Sequence, residues 1–282
     1  MIATLLTEPE ERLNGSGGLI GDIGRTISGG PTGKVHLSPS RVSRYLLCPE
    51  QYRLYYVEKL RPKVPSGSLV FGQVIHLSLA GFFKEKTDPL KTFQEYWTTL
   101  KGIPLDYSKQ ETWEKLNDAG RGLLEKFMTE EAPKLGTISA VEEPFTLSVT
   151  GIDLPFIGVI DLVASVATTV TVVDFKTSGS RYGVHEADMS DQLTAYRLAK
   201  PQVERLALCV LVKTKEPQIA WQFTRRTGEQ LSDYLAKAGY VGREIASARF
   251  YKRPGVWCAW CDYLPVCLGD KRKAEQSLAQ IG

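Results

Sequence analysis

Residues 155–177 read Pro155-Phe156-Ile157-Gly158-Val159-Ile160-Asp161-Leu162-Val163-Ala164-Ser165-Val166-Ala167-Thr168-Thr169-Val170-Thr171-Val172-Val173-Asp174-Phe175-Lys176-Thr177. Two apolar runs, each carrying an acid, flank a short polar turn. The pattern predicts two strands that pair as a hairpin across Ala167-Thr168-Thr169. Side chains at i and i+2 of a strand face the same way, so Asp174 and Lys176 share a face while Phe175 turns to the opposite, core side. Pairing through the turn brings Asp161 towards Asp174 from the neighbouring strand. Two carboxylates held together repel unless a cation neutralises them, and magnesium prefers oxygen ligands of this kind. Such an ion polarises a phosphoryl oxygen and lowers the pKa of a bound water. Lys176 adds positive charge where negative charge develops in the transition state. The three side chains form a set suited to hydrolysing a phosphodiester. A D-x-K tripeptide alone is common as a surface pair. Here strongly apolar strands run up to each acid, which places both at the edge of a buried sheet.

Working outward, Ser38 can cap a helix with Pro39 at its first position, and Cys48-Pro49 should break it. A second helix is expected after Gly72, carrying Val74, Ile75 and His76. Further helices are expected around 90–100 and 108–130, and a strand over AVEEPFTLSV at 140–149. Downstream, a helix over 187–200 sets Gln192 and Tyr196 four residues apart on one face. The apolar strand RLALCVLVK, a shorter strand IAWQF and a long helix over 227–248 follow. This order predicts an α/β fold with a central mixed sheet flanked by helices. The expected division is a flexible Gly-rich arm over 1–35 and one domain over 36–282. Within the domain, 36–135 is a mainly helical lobe, 136–225 the catalytic sheet core, and 226–282 a C-terminal helix with a cysteine cluster. Gly30-Pro31-Thr32-Gly33-Lys34-Val35 does not make a phosphate loop. Ser28 stands where the first glycine belongs, and Val35 where magnesium needs Ser or Thr.

The 282 residues are 43% hydrophobic and 24% charged, a balance that excludes a wholly disordered chain. No apolar run approaches the roughly 20 residues that span a bilayer, so no membrane partner is expected. MIATLLTEPEER has neither a basic nor a long apolar segment of a secretory signal. A cytoplasmic location is expected, in the host cytoplasm if the chain is phage-encoded. The net charge of +3 says little about a polyanionic partner, but its distribution says more. Two segments, Arg41 to Lys63 and Arg243 to Lys273, are rich in Lys and Arg. They are either a phosphate-contacting surface or two solvated helix faces.

Five cysteines in a reducing compartment point to metal ligation or burial. Trp257-Cys258-Ala259-Trp260-Cys261-Asp262-Tyr263-Leu264-Pro265-Val266-Cys267 holds C-x2-C-x5-C. A fourth ligand must come from elsewhere, and Cys48 is the candidate. Cys209 lies inside the apolar strand 206–212 and reads as a buried thiol. Four cysteines suit a [4Fe–4S] cluster or a four-thiolate Zn2+ site. Trp257, Trp260, Tyr263 and Tyr251 are candidates for base stacking or for core packing.

In order along the chain stand G-x-x-x-H at Gly72–His76, G-x-x-D at Gly158–Asp161, D-x-K-T at Asp174–Thr177 and Q-x-x-x-Y at Gln192–Tyr196. The series resembles the RecB-type branch of the PD-(D/E)XK nuclease superfamily, with its restriction-endonuclease-like core. The resemblance implies that His76, Asp161, Asp174 and the Phe175 backbone carbonyl bind Mg2+ or Mn2+. It further implies that Lys176 positions the attacking water and that Gln192 and Tyr196 orient the site or touch DNA. Glu142 or Glu143 is a candidate outer carboxylate. Asp174 stands where many members carry Glu. A lone early cysteine with a late C-x2-C-x5-C resembles the iron–sulfur members, the AddB subunit of helicase–nucleases and the CRISPR-associated RecB-like exonucleases. In these a [4Fe–4S] cluster staples the two ends of the nuclease domain together. The implied function is a metal-dependent DNA exonuclease on single-stranded or frayed ends, in recombination, repair, phage or CRISPR-related DNA processing. A helicase or a recombination or CRISPR-adaptation protein is an implied partner. The alternatives are a non-catalytic DNA-end-binding subunit and a structure-specific endonuclease.

Overall fold

The computed structural model describes residues 36–148 and 154–281, so the Gly-rich arm expected over 1–35 lies outside the described residues. The chain enters through helix α1 (Pro39–Leu47), capped by Ser38, whose hydroxyl accepts from the Arg41 N–H at 3.1 Å. Cys48 is extended (φ −161°) and separates α1 from α2 (Pro49–Tyr52), which runs on into a wide turn over Arg53–Val57. The break at Cys48-Pro49 therefore falls where the sequence places it. Strand β1 (Leu60–Pro62) follows, then three longer helices: α3 (Gly67–Glu85), α4 (Pro89–Thr99) and α5 (Trp113–Lys126).

Helix α3 starts at Gly67, not after Gly72 as its glycine suggests. Ser66 supplies the cap, and Gly72 sits inside the helix for a different reason. A Cβ there would stand 3.0 Å from Thr177 Oγ1, so the missing side chain lets α3 lie close against the sheet.

The sheet comprises β2 (Leu135–Leu147), β3 (Phe156–Val166), β4 (Thr169–Ser178), β5 (Arg205–Val212) and β6 (Gln218–Thr224). They lie in the order β2-β3-β4-β5-β6. β4 and β5 are parallel and the other pairs antiparallel, so the sheet is mixed, as expected. The parallel pair needs a crossover. It is supplied by α6 (Glu186–Met189) and α7 (Asp191–Ala199). The expected single helix over 187–200 is thus two, parted where Ser190 turns extended to cap α7. Helix α8 (Gly228–Ala246) begins with a reciprocal capping box between Thr227 and Gln230. The chain ends in a 3-10 turn (Val256–Trp260), α9 (Leu264–Leu268), α10 (Lys271–Ser277) and β7 (Leu278–Gln280). β7 pairs antiparallel with β1, tying the last described strand to the segment after α2.

The sheet is covered on both faces. Leu162, Ala164, Val166, Val173, Phe175, Cys209 and Leu211 pack against α3, α4 and α5. Val163, Val172, Leu206, Leu208, Val210 and Val212 pack against Leu193 and Tyr196 of α7. The alternation along β3 changes parity at Asp161, because Ile160 joins the α7 side while Leu162 joins the α3 side. The β3–β4 ladder stops at the same place, with Leu162↔Val173 its last pair. Beyond it β3 pairs only with β2, and β4 only with β5. The sheet forks here, and both layers of helices reach the fork.

The hairpin turn at the other end is Ala167-Thr168, with φ of 46° and 68°. Positive φ at both positions suits the right-handed twist of a two-residue hairpin, but neither residue adopts it readily, least of all a β-branched one.

Candidate active site

Asp161 and Asp174 stand at the mouth of the fork on facing strands. The register that ends at Leu162↔Val173 would make them the next pair. Instead of a backbone bond, the Asp161 side chain takes over: its Oδ2 accepts from the Phe175 N–H at 2.8 Å. That bond fixes the carboxylate against β4 and satisfies an amide that the ladder leaves at the fork. Phe175 points to the core, stacked on Phe83 with ring centroids 6.1 Å apart. The His76 ring also meets it edge-on at 6.4 Å.

On the α3 side, His76 Nδ1 lies 3.4 Å from Asp161 Oδ2. Glu142 of β2 joins them. One ligand atom from each of His76, Glu142 and Asp161 lies within 4.8 Å of the other two. The pairs Val141↔Leu162 and Glu143↔Ile160 bracket Glu142 and set it opposite Asp161. Its backbone is left-handed (φ 47°), a conformation costing a non-glycine residue on the order of 1 kcal/mol or more and commonest at functional positions. The sequence singled out Glu142 or Glu143 as an outer carboxylate. The structure separates them and brings Glu142 into the innermost group. Glu143 instead accepts from Lys200 Nζ at 2.6 Å.

On the α7 side four side chains close a ring. Lys176 Nζ lies 2.7 Å from Asp174 Oδ2 and donates to Gln192 Oε1 at 2.8 Å. Gln192 Nε2 donates to Tyr196 Oη at 2.6 Å, and Tyr196 Oη donates to Asp174 Oδ1 at 3.4 Å. The i, i+4 spacing of Gln192 and Tyr196 is thus used to hold an ammonium beside a carboxylate. Asp174 is fully buried, and its Oδ2 makes the ion pair without the alignment of a hydrogen bond. Burial, joined by the nearby Asp161 charge, pushes the Asp174 carboxyl up despite Lys176. Burial would lower Lys176, but Asp174 and Asp161 outweigh it and hold the ammonium above its ordinary range. Tyr196, buried and facing both acids, is pushed well up and keeps its proton.

The donor set suits a divalent ion. A buried carboxylate carries an oxygen with no hydrogen bond, and two more carboxylates and an imidazole converge beside it. Hard oxygen donors with one imidazole fit Mg2+ or Mn2+. An ion there would relieve the desolvation and repulsion that raise Asp174.

Sequence reading did not find Arg226. Buried at the start of the chain segment leading to α8, it donates to the Ala187 and Ser190 carbonyls at 2.7 and 3.0 Å and to Thr194 Oγ1 at 2.7 Å. It thereby clamps the first turn of α7, two residues from Gln192. No sequence motif marks such a clamp, because its partners are mostly backbone.

The five cysteines differ in burial. Cys209 is buried in the sheet, and burial pushes its thiol well up. Cys48, Cys258, Cys261 and Cys267 are half-buried free thiols. The segments bearing them meet: the Glu50 N–H donates to the Tyr251 carbonyl at 3.0 Å, Arg253 Nη1 to the Leu47 carbonyl at 3.2 Å, and Gln51 Nε2 to Cys261 Sγ at 3.6 Å. Cys261 and Cys267 are both pushed up, mainly by burial, with a contribution from Cys48. Among the described residues no three cysteine sulfurs gather within 4.8 Å, so a tight four-sulfur arrangement is not formed. Of the aromatics in this region, Tyr263 is core, whereas Trp260 and Tyr251 are exposed.

Among the described residues no helix is long and apolar enough to cross a membrane. The sequence profile of the PD-(D/E)XK nuclease superfamily matches residues 36–268. No curated protein sequence matches the chain. Among solved structures, it is similar to a candidate exonuclease from Eubacterium rectale at 11% identity and a TM-score of 0.49. That match covers 80% of this chain and 92% of the other. It is also similar to the protein SSO0001 at 16% identity and a TM-score of 0.45, covering 95% of this chain and 96% of that one.

Proposed function

The chain belongs to the PD-(D/E)XK nuclease superfamily, and from that premise we propose that it is a Mg2+- or Mn2+-dependent DNA exonuclease acting on single-stranded or frayed ends. The observation that carries the reading is the fork itself. His76, Glu142 and Asp161 converge on one point beside the buried Asp174, and Lys176 is held next to them. His76, Glu142, Asp161 and Asp174 would hold the ion, with the Phe175 carbonyl that the resemblance implies. A bound ion would supply Lewis acidity at a phosphoryl oxygen and acidify a coordinated water.

The chain's own groups do the rest. Lys176, kept protonated by its two carboxylate neighbours, offers charge to the attacking water and to the phosphoryl oxygens. Gln192 holds the ammonium in place, and Tyr196 holds Gln192 and Asp174. These supports lie on α7, packed on the sheet and clamped by Arg226, so the geometry exists before DNA arrives. The exonuclease reading, the DNA substrate and a role in recombination, repair, phage or CRISPR-related processing rest on the sequence resemblance. End-labelled linear single-stranded DNA and its circular form, each with Mg2+ or Mn2+, provide the test. Degradation of the linear form alone is expected. Cleavage of circles would replace the exonuclease by an endonuclease, and binding without cleavage of either form would leave an end-binding subunit.

We propose further that Cys48, Cys258, Cys261 and Cys267 hold a [4Fe–4S] cluster. The support is the docking of the Cys48 segment on the C-terminal knot, with four half-buried free thiols between them. A tetrahedral Zn2+ with bonds of about 2.3 Å draws its sulfurs to about 3.8 Å of one another.

A further inference from the structure

Between β4 and α6 the chain passes from the third strand of the sheet to the fifth, against which α6 lies. Two glutamines of β6 hold this connection in place. Gln218 Oε1 accepts from Arg181 Nε at 2.7 Å. Gln222 uses its whole amide. Its Nε2 donates to the Gly183 carbonyl at 2.8 Å and to the Tyr182 carbonyl at 3.4 Å, and its Oε1 accepts from the Ala187 N–H at 3.2 Å. The register shows what lies across from Gln222. Asp174 pairs with Leu208 and Leu208 with Gln222, so the three form one row across the sheet. Lys176, Val210 and Ala220 form the next row. Paired residues of neighbouring strands share a face, and Leu208 and Val210 face α7. The Tyr182 backbone is therefore tied about 10 Å, or two strand spacings, from the Asp174 row, on the side to which Asp174 and Lys176 point.

The Tyr182 ring fills part of that interval. It packs on the cluster that contains Leu208, Val210, Val212 and Tyr196, to which the short side chain of Ala220 also belongs. Its hydroxyl lies within the fields of both Lys176 and Asp174. Among the described residues that hydroxyl makes no hydrogen bond to the protein, and Tyr182 is only half-buried. Burial pushes the hydroxyl above its ordinary range. Lys176 pulls the other way, but Asp174 and Glu186 add to the push, so the proton stays on at neutral pH. Beside Lys176 there is thus an anchored, protonated donor that has no acceptor in the protein. A phosphodiester would bring one, because its non-bridging oxygens carry the negative charge that an ammonium attracts. The anchor matters as much as the donor: a hydroxyl fixed beforehand loses little freedom when its acceptor arrives.

We propose that Tyr182 is a further catalytic residue, whose hydroxyl donates to a non-bridging oxygen of the scissile phosphodiester beside Lys176, and that Gln222 is its positioning residue. The inference rests on the reading of the fork as a nuclease centre, and its test separates the two. The whole chain with Mn2+ is assayed on end-labelled linear single-stranded DNA and on bis(p-nitrophenyl) phosphate, with thermal melting alongside. Tyr182→Phe keeps the ring. It should lower kcat on DNA about ten- to hundredfold, the worth of one hydrogen bond to a charged group, at an unchanged melting temperature. It should slow hydrolysis of the small diester by a similar factor, because the contact is to the phosphate that reacts and not to the strand beyond it. Gln222→Ala should lower kcat several-fold. Adding it to Tyr182→Phe should cost little more, since the two act through one contact. Unchanged kcat on both substrates in Tyr182→Phe would overturn the catalytic role. A loss on DNA alone, carried by KM, would overturn the contact with the scissile phosphate. Additive losses in the double variant would overturn the positioning by Gln222. A loss of activity that only follows a lowered melting temperature would reduce Tyr182 to packing. A wild type that hydrolyses neither substrate would sink the nuclease reading. Anisotropy of a fluorescein-labelled oligodeoxythymidylate with Ca2+ would then decide for Tyr182: several-fold weaker binding in Tyr182→Phe keeps its contact with a phosphate, and equal binding overturns it.

Discussion

The carboxylate fork and the cysteine knot are built in opposite ways. At the fork, sheet register brings the residues to the spot and neighbouring side chains lock them there. Asp161 is pinned to the Phe175 amide, and Lys176, Gln192, Tyr196 and Asp174 close on one another. The knot is made of a 3-10 turn and a five-residue helix, and Gln51 donates to the Cys261 sulfur. Rigid sheet edges can hold an active site open while it waits for an ion. In the knot the short segments are held largely through backbone atoms, and the proposed cluster would be what fixes the four sulfurs relative to one another. The difference predicts that losing the ligand costs the fork its activity and the knot its fold.

The largest effect should be at the fork. Asp174→Asn keeps the shape and the bond from Tyr196 but removes the charge. Activity on linear DNA should fall by about a thousandfold, as several kcal/mol of transition-state stabilisation are lost, with an unchanged circular dichroism spectrum. A loss of folding instead would mean the fork is not preorganised. At the knot, Cys261→Ser should remove iron and its visible absorbance and destabilise the protein by several kcal/mol, read by thermal melting. EDTA treatment that strips only the divalent ion should leave the melting temperature nearly unchanged. Equal losses from both treatments would erase the contrast.

The pH dependence should be next in size. The Asp174 carboxyl titrates above its ordinary range. Its contribution to the stability of the ion-free protein is therefore present below the unfolded pKa and lost as pH rises through the folded value. A divalent ion must displace that proton. Its affinity, measured by calorimetry, should rise with pH across this window by up to tenfold per pH unit and then level off. The smallest of these effects belongs to a support. Gln192→Ala frees the ammonium from one anchor and should lower kcat by about tenfold with little change in KM.

Much of this was legible in the sequence, for definite reasons. Asp161, Asp174 and Lys176 announced themselves because strand alternation is local and apolar runs lead up to each acid. Gln192 and Tyr196 shared a face because helical spacing is local too. Glu142 was only half legible. Its partnership with His76 and Asp161 depends on the register of β2 against β3 and on a left-handed backbone that no residue type there signals. The start of α3 was misplaced because Gly72 looked like punctuation. Its role is to admit Thr177, a contact 105 residues away that only the packed structure reveals. Arg226 was illegible for the same reason: most of its partners are backbone carbonyls brought to it by tertiary structure.

The turn at Ala167-Thr168 offers something of practical use. Its two residues hold an uncomfortable backbone at the closed end of the hairpin, six or more residues along the strand from Asp161. Rewriting the pair as Asn-Gly should suit that backbone and raise the melting temperature by a few degrees without reaching the chemistry, because strand spacing of about 3.3 Å per residue puts the turn about 20 Å away. A sturdier host of this kind could carry damaging substitutions at the fork that the parent chain would not survive.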